Sequence, residues 1–182
     1  MEGTGTSFLR KFEAEIAHDF GKEDAVFMLS GTMAQNIALL IHSRKEEIAK
    51  NKNALEAYPF RFACHQSCHL LLWEEESYEK LLGFQAVKIT TDDQRLEKCV
   101  SIPPLMFDDV QETFVTEKSK HPGKSLGESG LSTLIIELPH RELGGKVTPW
   151  DDILSIGKLC KEEDIKYHCD GARIFEASAG YG

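Results

Sequence analysis

The chain has 182 residues, 41% of them hydrophobic and 28% charged, a balance that supports one globular domain with a real core. Its net charge of -9 repels phosphate backbones and anionic lipid, so neither nucleic acid nor a membrane surface is an expected partner. No apolar run approaches membrane-spanning length, and the first twenty residues lack the continuous apolar stretch of a secretory signal, which makes the cytosol the expected location.

Residues 7 to 20 place Phe8, Leu9, Phe12, Ile16 and Phe20 at helical spacing, and Gly21 supplies the stop. The apolar run AVFMLS at 25 to 30 predicts a short buried strand. Gly31 and Thr32 make the turn into a second helix running from Met33 to Lys50, with Ala34, Ile37, Ala38 and Ile41 on its apolar face. Arg61 to Cys64 is expected as a strand, Ser77 to Leu82 as a helical turn stopped at Gly83, and Ala86 to Ile89 as another strand. Asp108 is placed to cap a helix through Val110 and Phe114. The polar, glycine-containing stretch 118 to 131 reads as a surface loop. The run LSTLIIEL at 131 to 138 is the clearest strand; Pro149 then opens a helix through Ile153, Ile156, Leu159 and Cys160, and Ile165 to Cys169 is a last strand. Strands alternating with helices imply an α/β domain with a largely parallel sheet.

Five cysteines, Cys64, Cys68, Cys99, Cys160 and Cys169, are odd in number and irregular in spacing. They read as free thiols rather than a disulfide framework, and no second pair joins Cys64 and Cys68 to make a metal site. Gly123-Lys124-Ser125 resembles the end of a phosphate-binding P-loop, but the glycine required five residues earlier is Lys118. Two other segments fit ligand chemistry better. Ser30-Gly31-Thr32 lies between an expected strand and a helix, where backbone N–H groups suit a phosphate; simple capping of the helix explains the same residues. Asp170-Gly171-Ala172-Arg173 follows an expected strand, and ligands of open α/β sheets bind beyond strand carboxyl ends. There Asp170 can hold a ring N–H and Arg173 a carboxylate or phenolate, or Asp170 caps a helix and Arg173 is a surface residue.

Taken together, SGTMAQNIAL at 30 to 39, His69 followed by Glu74 and Gly83, the run IELPHRELGGKVTPW, and HCDGAR at 168 to 173 resemble the L-threonine aldolase/β-eliminating lyase family. Those are fold-type-I enzymes that use pyridoxal 5'-phosphate (PLP). The resemblance implies a three-layer αβα large domain with a mostly parallel sheet. It implies that Ser30, Gly31 and Thr32 hold the PLP phosphate, that His69 stacks on the pyridine ring, and that Asp170 pairs with the ring nitrogen. It further implies that Arg173 contacts the phenolate oxygen or the substrate carboxylate, with Arg141 a weaker candidate. The implied reaction is cleavage of a β-hydroxy-α-amino acid to glycine and an aldehyde, with His69 or a water assisting the Cα–Cβ cleavage, or elimination of a β-substituent, by a full-length homo-oligomer acting on a small amino acid.

In the family, the lysine that forms the imine with PLP lies beyond the H-x-D-G-A-R segment, and a small carboxyl-terminal domain follows. The sequence stops at Gly182, before the matching place, so a truncated large-domain fragment that is inactive alone is expected. The rival expectation is a non-catalytic isoform or remnant that pairs with an intact subunit.

Overall fold

A computed structural model describes residues 7–43, 60–91 and 102–181. The chain divides into two compact units, Met1–Ala34 and Gln35–Gly182.

In the first unit, helix α1 spans Phe8–Asp19, with Ser7 Oγ accepting the Arg10 N–H at 3.2 Å. Gly21, at φ +59°, follows the helix in the left-handed conformation that glycine adopts without strain. The helix is where the spacing puts it, but its apolar residues are not its buried face. Phe8 is 86% exposed and Leu9, Phe12 and Phe20 also face outward, whereas Glu13 and Ala17 are buried. The reason lies in what Glu13 does: its carboxylate accepts the Phe27 N–H at 2.8 Å and an Arg10 guanidinium N–H at 2.6 Å. That bond also accounts for the largest departure from the sequence reading. Residues 25–30 form no strand, and Val26, Phe27 and Leu29 are exposed. A strand needs a neighbour to pair its backbone, and here a carboxylate takes the Phe27 N–H instead.

Helix α2, Gly31–His42, begins two residues before the expected start; residues 44–50 of the expected helix lie outside the described residues. Its buried positions are Gln35, Asn36 and Leu39, while Ile41 is exposed. The anticipated apolar stripe is therefore rotated, because two amides are buried on hydrogen bonds. Asn36 Nδ2 donates to Ser77 Oγ at 2.9 Å, and the bonds of Gln35 belong to the site below.

The second unit is built on a four-stranded sheet. Its strands are β1 (Arg61–His65), β2 (Gln85–Ile89), β3 (Leu131–Glu137) and β4 (Lys166–Asp170), in the order β2-β1-β3-β4. Every pairing is parallel, with a register shift between Arg61 and Phe62 where β1 meets β3. Helix α3 spans His69–Leu72, α4 Ser77–Lys80, α5 Phe107–Ser119, α6 Trp150–Glu162 and α7 Ile174–Tyr181. One face of the sheet packs Ala63, Ile89 and Leu134 against Val110 and Phe114 of α5 and Ile156 and Cys160 of α6. The other packs Phe62, Cys64 and Ile135 against Leu39, Leu70 and Tyr78 from α2, α3 and α4. The outcome is the expected three-layer α/β arrangement with a parallel sheet. Burial on both faces explains why β3 reads as a continuous apolar run. Each fully buried leucine or phenylalanine contributes roughly 1.5–3 kcal/mol.

Two local differences are informative. Asp108 lies inside the first turn of α5, and it is the Asp109 carboxylate that accepts the Met106 N–H, at 3.4 Å. The stretch 118–131 is not wholly a solvated loop. Helix α5 continues to Ser119, and Leu126 and Ser129 are fully buried. Gly127 presses against the backbone of Asp164, and its N–H donates to the Glu163 carbonyl at 2.9 Å. At the amino end of β1, Arg61 pairs with the buried Glu117 at 2.5 Å and donates to the Ser129 carbonyl at 3.2 Å.

Candidate active site

Parallel strands joined by right-handed crossovers bring all their carboxyl ends to one edge of the sheet. Here that edge gathers His65 from β1, His69 just beyond it, Glu137 from β3 and Asp170 from β4. Residues 64–65, 135 and 168–170 hold these ends in register.

Asp170 is the last residue of β4, and both its carboxylate oxygens accept N–H groups. Oδ2 takes Gln35 Nε2–H at 2.7 Å and Oδ1 takes the Ala172 backbone N–H at 3.2 Å. The second bond is a turn-forming Asx contact rather than a helix cap, since α7 starts only at Ile174. Behind Gln35, His168 Nε2 faces Gln35 Oε1 at 3.1 Å, and His42 Nε2 faces His168 Nδ1 at 3.4 Å. Burial pushes the His168 imidazole below its ordinary pKa against the opposing pull of Asp170. Burial also lowers His42, helped by repulsion from His168 and Lys166. Arg173 is exposed and immediately precedes α7, and its carbonyl accepts the Glu176 N–H at 3.0 Å.

His69 opens α3 with its backbone N–H on Glu137 Oε1 at 2.5 Å and its ring Nδ1 3.3 Å from the buried Glu74. Its side chain is 29% exposed, so one end of the ring is anchored while part of it faces solvent. Glu137 Oε2 accepts the Arg141 N–H at 3.3 Å, so this one carboxylate ties the loop after β1 to the loop after β3. Sequence reasoning missed it; the available signal was a lone acid closing the apolar run LSTLIIE. The Arg141 guanidinium is already engaged, lying 5.3 Å over the Trp73 ring and 3.6 Å from Glu142.

A second polar cluster lies beside these residues. Ser67 N–H donates to His65 Nδ1 at 3.0 Å, which leaves the His65 hydrogen on Nε2, donated to Thr91 Oγ1 at 2.8 Å. The Thr91 hydroxyl passes on to the Pro103 carbonyl at 3.1 Å. Ser67 Oγ is 3.1 Å from His140 Nε2, but Glu137 approaches that same nitrogen, at 4.0 Å. A nucleophilic triad needs the acid on the opposite ring nitrogen, so this cluster braces the loops.

Ser30, Gly31 and Thr32 belong to the first compact unit, and all three are exposed. Ser30 Oγ accepts the Met33 N–H at 3.2 Å, so the capping role is present. A Cβ built on Gly31 meets nothing within 4 Å. Neither packing nor a left-handed backbone calls for glycine there, and open space adjoins the positive end of the helix.

Among the described residues, no group of three or more His, Cys, Asp or Glu is arranged to hold a metal. No helix there is long and apolar enough to cross a membrane.

A parallel sheet covered on both faces, with His65, Glu137 and Asp170 at the carboxyl ends of its strands, defines a three-layer domain of the α/β class, and that edge is where such domains bind ligands. A family model described as beta-eliminating lyase matches residues 4–182, and the chain belongs to that family. Low-specificity L-threonine aldolase 1 of Arabidopsis thaliana is 25% identical, over 95% of this chain and 41% of its own length. The low specificity L-threonine aldolase of Saccharomyces cerevisiae is 26% identical, over 94% of this chain and 37% of its own. Among solved structures, a putative L-allo-threonine aldolase from Listeria monocytogenes matches with a TM-score of 0.70 and 30% identity. That match covers 97% of this chain and 40% of the other. The chain therefore spans about two-fifths of the length of these relatives.

Proposed function

We propose that the protein carrying this chain is a PLP-dependent lyase that splits a β-hydroxy-α-amino acid into glycine and an aldehyde. The observation that carries the reading is the Asp170 carboxylate. It sits at a strand end, held by two neutral N–H donors, and has no ion pair among the described residues. A carboxylate oriented but not neutralised suits a cationic ring nitrogen. Its likeness to the threonine aldolases of a plant and a yeast supports the same choice.

PLP, when bound, supplies the electron sink for the charge left on the substrate Cα when the Cα–Cβ bond breaks. In this reading Asp170 keeps the proton on the ring nitrogen. His69, steadied by Glu74 and Glu137, lies against the ring and limits its tilt. Arg173, exposed and without an ion pair among the described residues, takes the phenolate oxygen or the substrate carboxylate. Arg141 is a weaker partner because Trp73 and Glu142 already hold it. Ser30, Gly31 and Thr32 offer the phosphate a helix N-terminus with open space at the glycine.

The test replaces Asp170 with Asn and Ala in the full-length protein and follows PLP affinity and glycine release from L-threonine. Turnover should be nearly abolished in both variants while the fold persists. A PLP-loaded Asp170→Ala protein with undiminished turnover refutes the assignment.

A further inference from the structure

Resting on that cofactor reading, one arrangement behind Asp170 extends it. Of the two polar atoms of a glutamine amide only the nitrogen can donate to a carboxylate, so the 2.7 Å contact orients the Gln35 amide with Nε2 toward Asp170. Gln35 Oε1 then points at His168 Nε2, which must carry the hydrogen it donates. The other His168 nitrogen is left as an acceptor, and His42 Nε2–H fills it. The line His42, His168, Gln35, Asp170 thus has one direction. Each N–H points toward the carboxylate, and the two histidine tautomers are fixed by the acid at the far end.

Its members come from two elements far apart in sequence, α2 and β4, and meet at one strand end. The line also brings no formal charge. An arginine or lysine at position 35 would orient the carboxylate equally well and would neutralise it. Burial disfavours the imidazolium form of both histidines, so the three donors behind Asp170 stay uncharged at neutral pH.

We propose that Gln35 and His168 are positioning residues for the ring-nitrogen site. They fix the Asp170 carboxylate with neutral donors and reserve its negative charge for the protonated nitrogen of the cofactor.

The experiment measures the dissociation constants of PLP and of its analogue with carbon in place of the ring nitrogen. It compares the wild type with Gln35→Lys, Gln35→Met, His168→Gln and His168→Leu. Losing an oriented donor to a charged group should weaken PLP about tenfold in Gln35→Met and His168→Leu, and neutralising the acid about a hundredfold in Gln35→Lys. The carbon analogue should bind all of them as it binds the wild type, because it offers Asp170 no charge to hold. His168→Gln, which retains a donor nitrogen, should keep wild-type affinity for PLP. Independently of any cofactor, nitrogen-15 NMR of the imidazoles should show His168 and His42 as neutral Nε2–H tautomers at pH 7. Equal weakening for both ligands would mean a merely structural role and overturn the proposal, as would a cationic or Nδ1–H His168. Variants that bind PLP like a PLP-binding wild type overturn it alone. A wild type that binds neither ligand overturns the cofactor reading together with it.

Discussion

Replacing Gly127 with alanine separates two opposite expectations. The residue has a φ that any amino acid adopts, so backbone entropy alone favours alanine by about 0.4–1 kcal/mol. Space forbids it: a Cβ there falls 2.4 Å from the Asp164 carbonyl oxygen and 3.1 Å from its carbon. Ordinary contact begins near 3.4 Å, so the two backbone segments must part by about 1 Å in a close-packed region. That movement strains the Gly127 N–H bond to the Glu163 carbonyl and the Leu126 N–H bond to Glu163 Oε2, at 2.9 and 3.3 Å. It also strains the ion pair of Glu163 with Lys118. Overpacking of this kind costs about 1–3 kcal/mol, and parting two backbone segments belongs to the upper half of that range, which leaves a net loss of about 1–2.5 kcal/mol after the entropic gain. Urea unfolding should show a lower midpoint at unchanged slope, and the melting temperature should fall by roughly 2–8 °C. A Gly127→Ala protein more stable than its parent refutes the steric argument.

The opposite sign is expected at Gly157, inside α6, where an added Cβ makes ordinary contact with the Tyr167 ring at 3.6 Å. Gly157→Ala should raise stability by about 0.5–1 kcal/mol in the same urea assay. Arg61→Met leaves Glu117 buried with Lys120 as its one remaining ion-pair partner among the described residues and should cost about 3 kcal/mol while PLP affinity, measured alongside, stays unchanged. Burial pushes the Glu117 carboxyl up, but hydrogen bonds from Lys120 and Arg61 outweigh it and hold the group below its ordinary value. Its contribution is therefore full above the unfolded carboxylate pKa and lost as pH falls through the lower folded one, so Arg61→Met should flatten the acid limb of stability. His168 is likewise lowered from 6.5. Above that value its neutral form costs nothing, and below it the unfolded chain takes up the proton first, so stability drops with pH. His168→Gln should make that decline shallower in urea titrations between neutral and mildly acidic pH.

What the sequence disclosed depended on how many neighbours a residue answers to. Strand β3 was legible because both its faces are covered, so every position from Leu131 to Ile136 but Ser132 and Thr133 is apolar. The strand end at Asp170 was legible because the run before it and the glycine turn after it are both local. The rotated face of α2 was not, since Gln35 and Asn36 are buried only because Asp170 and Ser77 are there to bond them. Those partners lie 135 and 41 residues away, beyond the reach of any helical period. The run 25–30 misled for the converse reason. Its composition suits a strand, but strand formation is decided by a neighbouring edge, and Glu13 took the backbone donor instead. Leu126 and Gly127 were hidden inside a polar stretch because their partner, the segment around Asp164, arrives from after α6.

Strand β1 carries an ion pair at one end and the site at the other: Arg61 begins it and His65 closes it. Four residues of parallel strand put about 13 Å between them, beyond the range at which substitutions usually couple. A lineage can therefore drift at the arginine end, losing or regaining robustness to heat and acid, without disturbing the loops that His65 braces at the other end. Robustness accumulated at one pole becomes tolerance for experiment at the other.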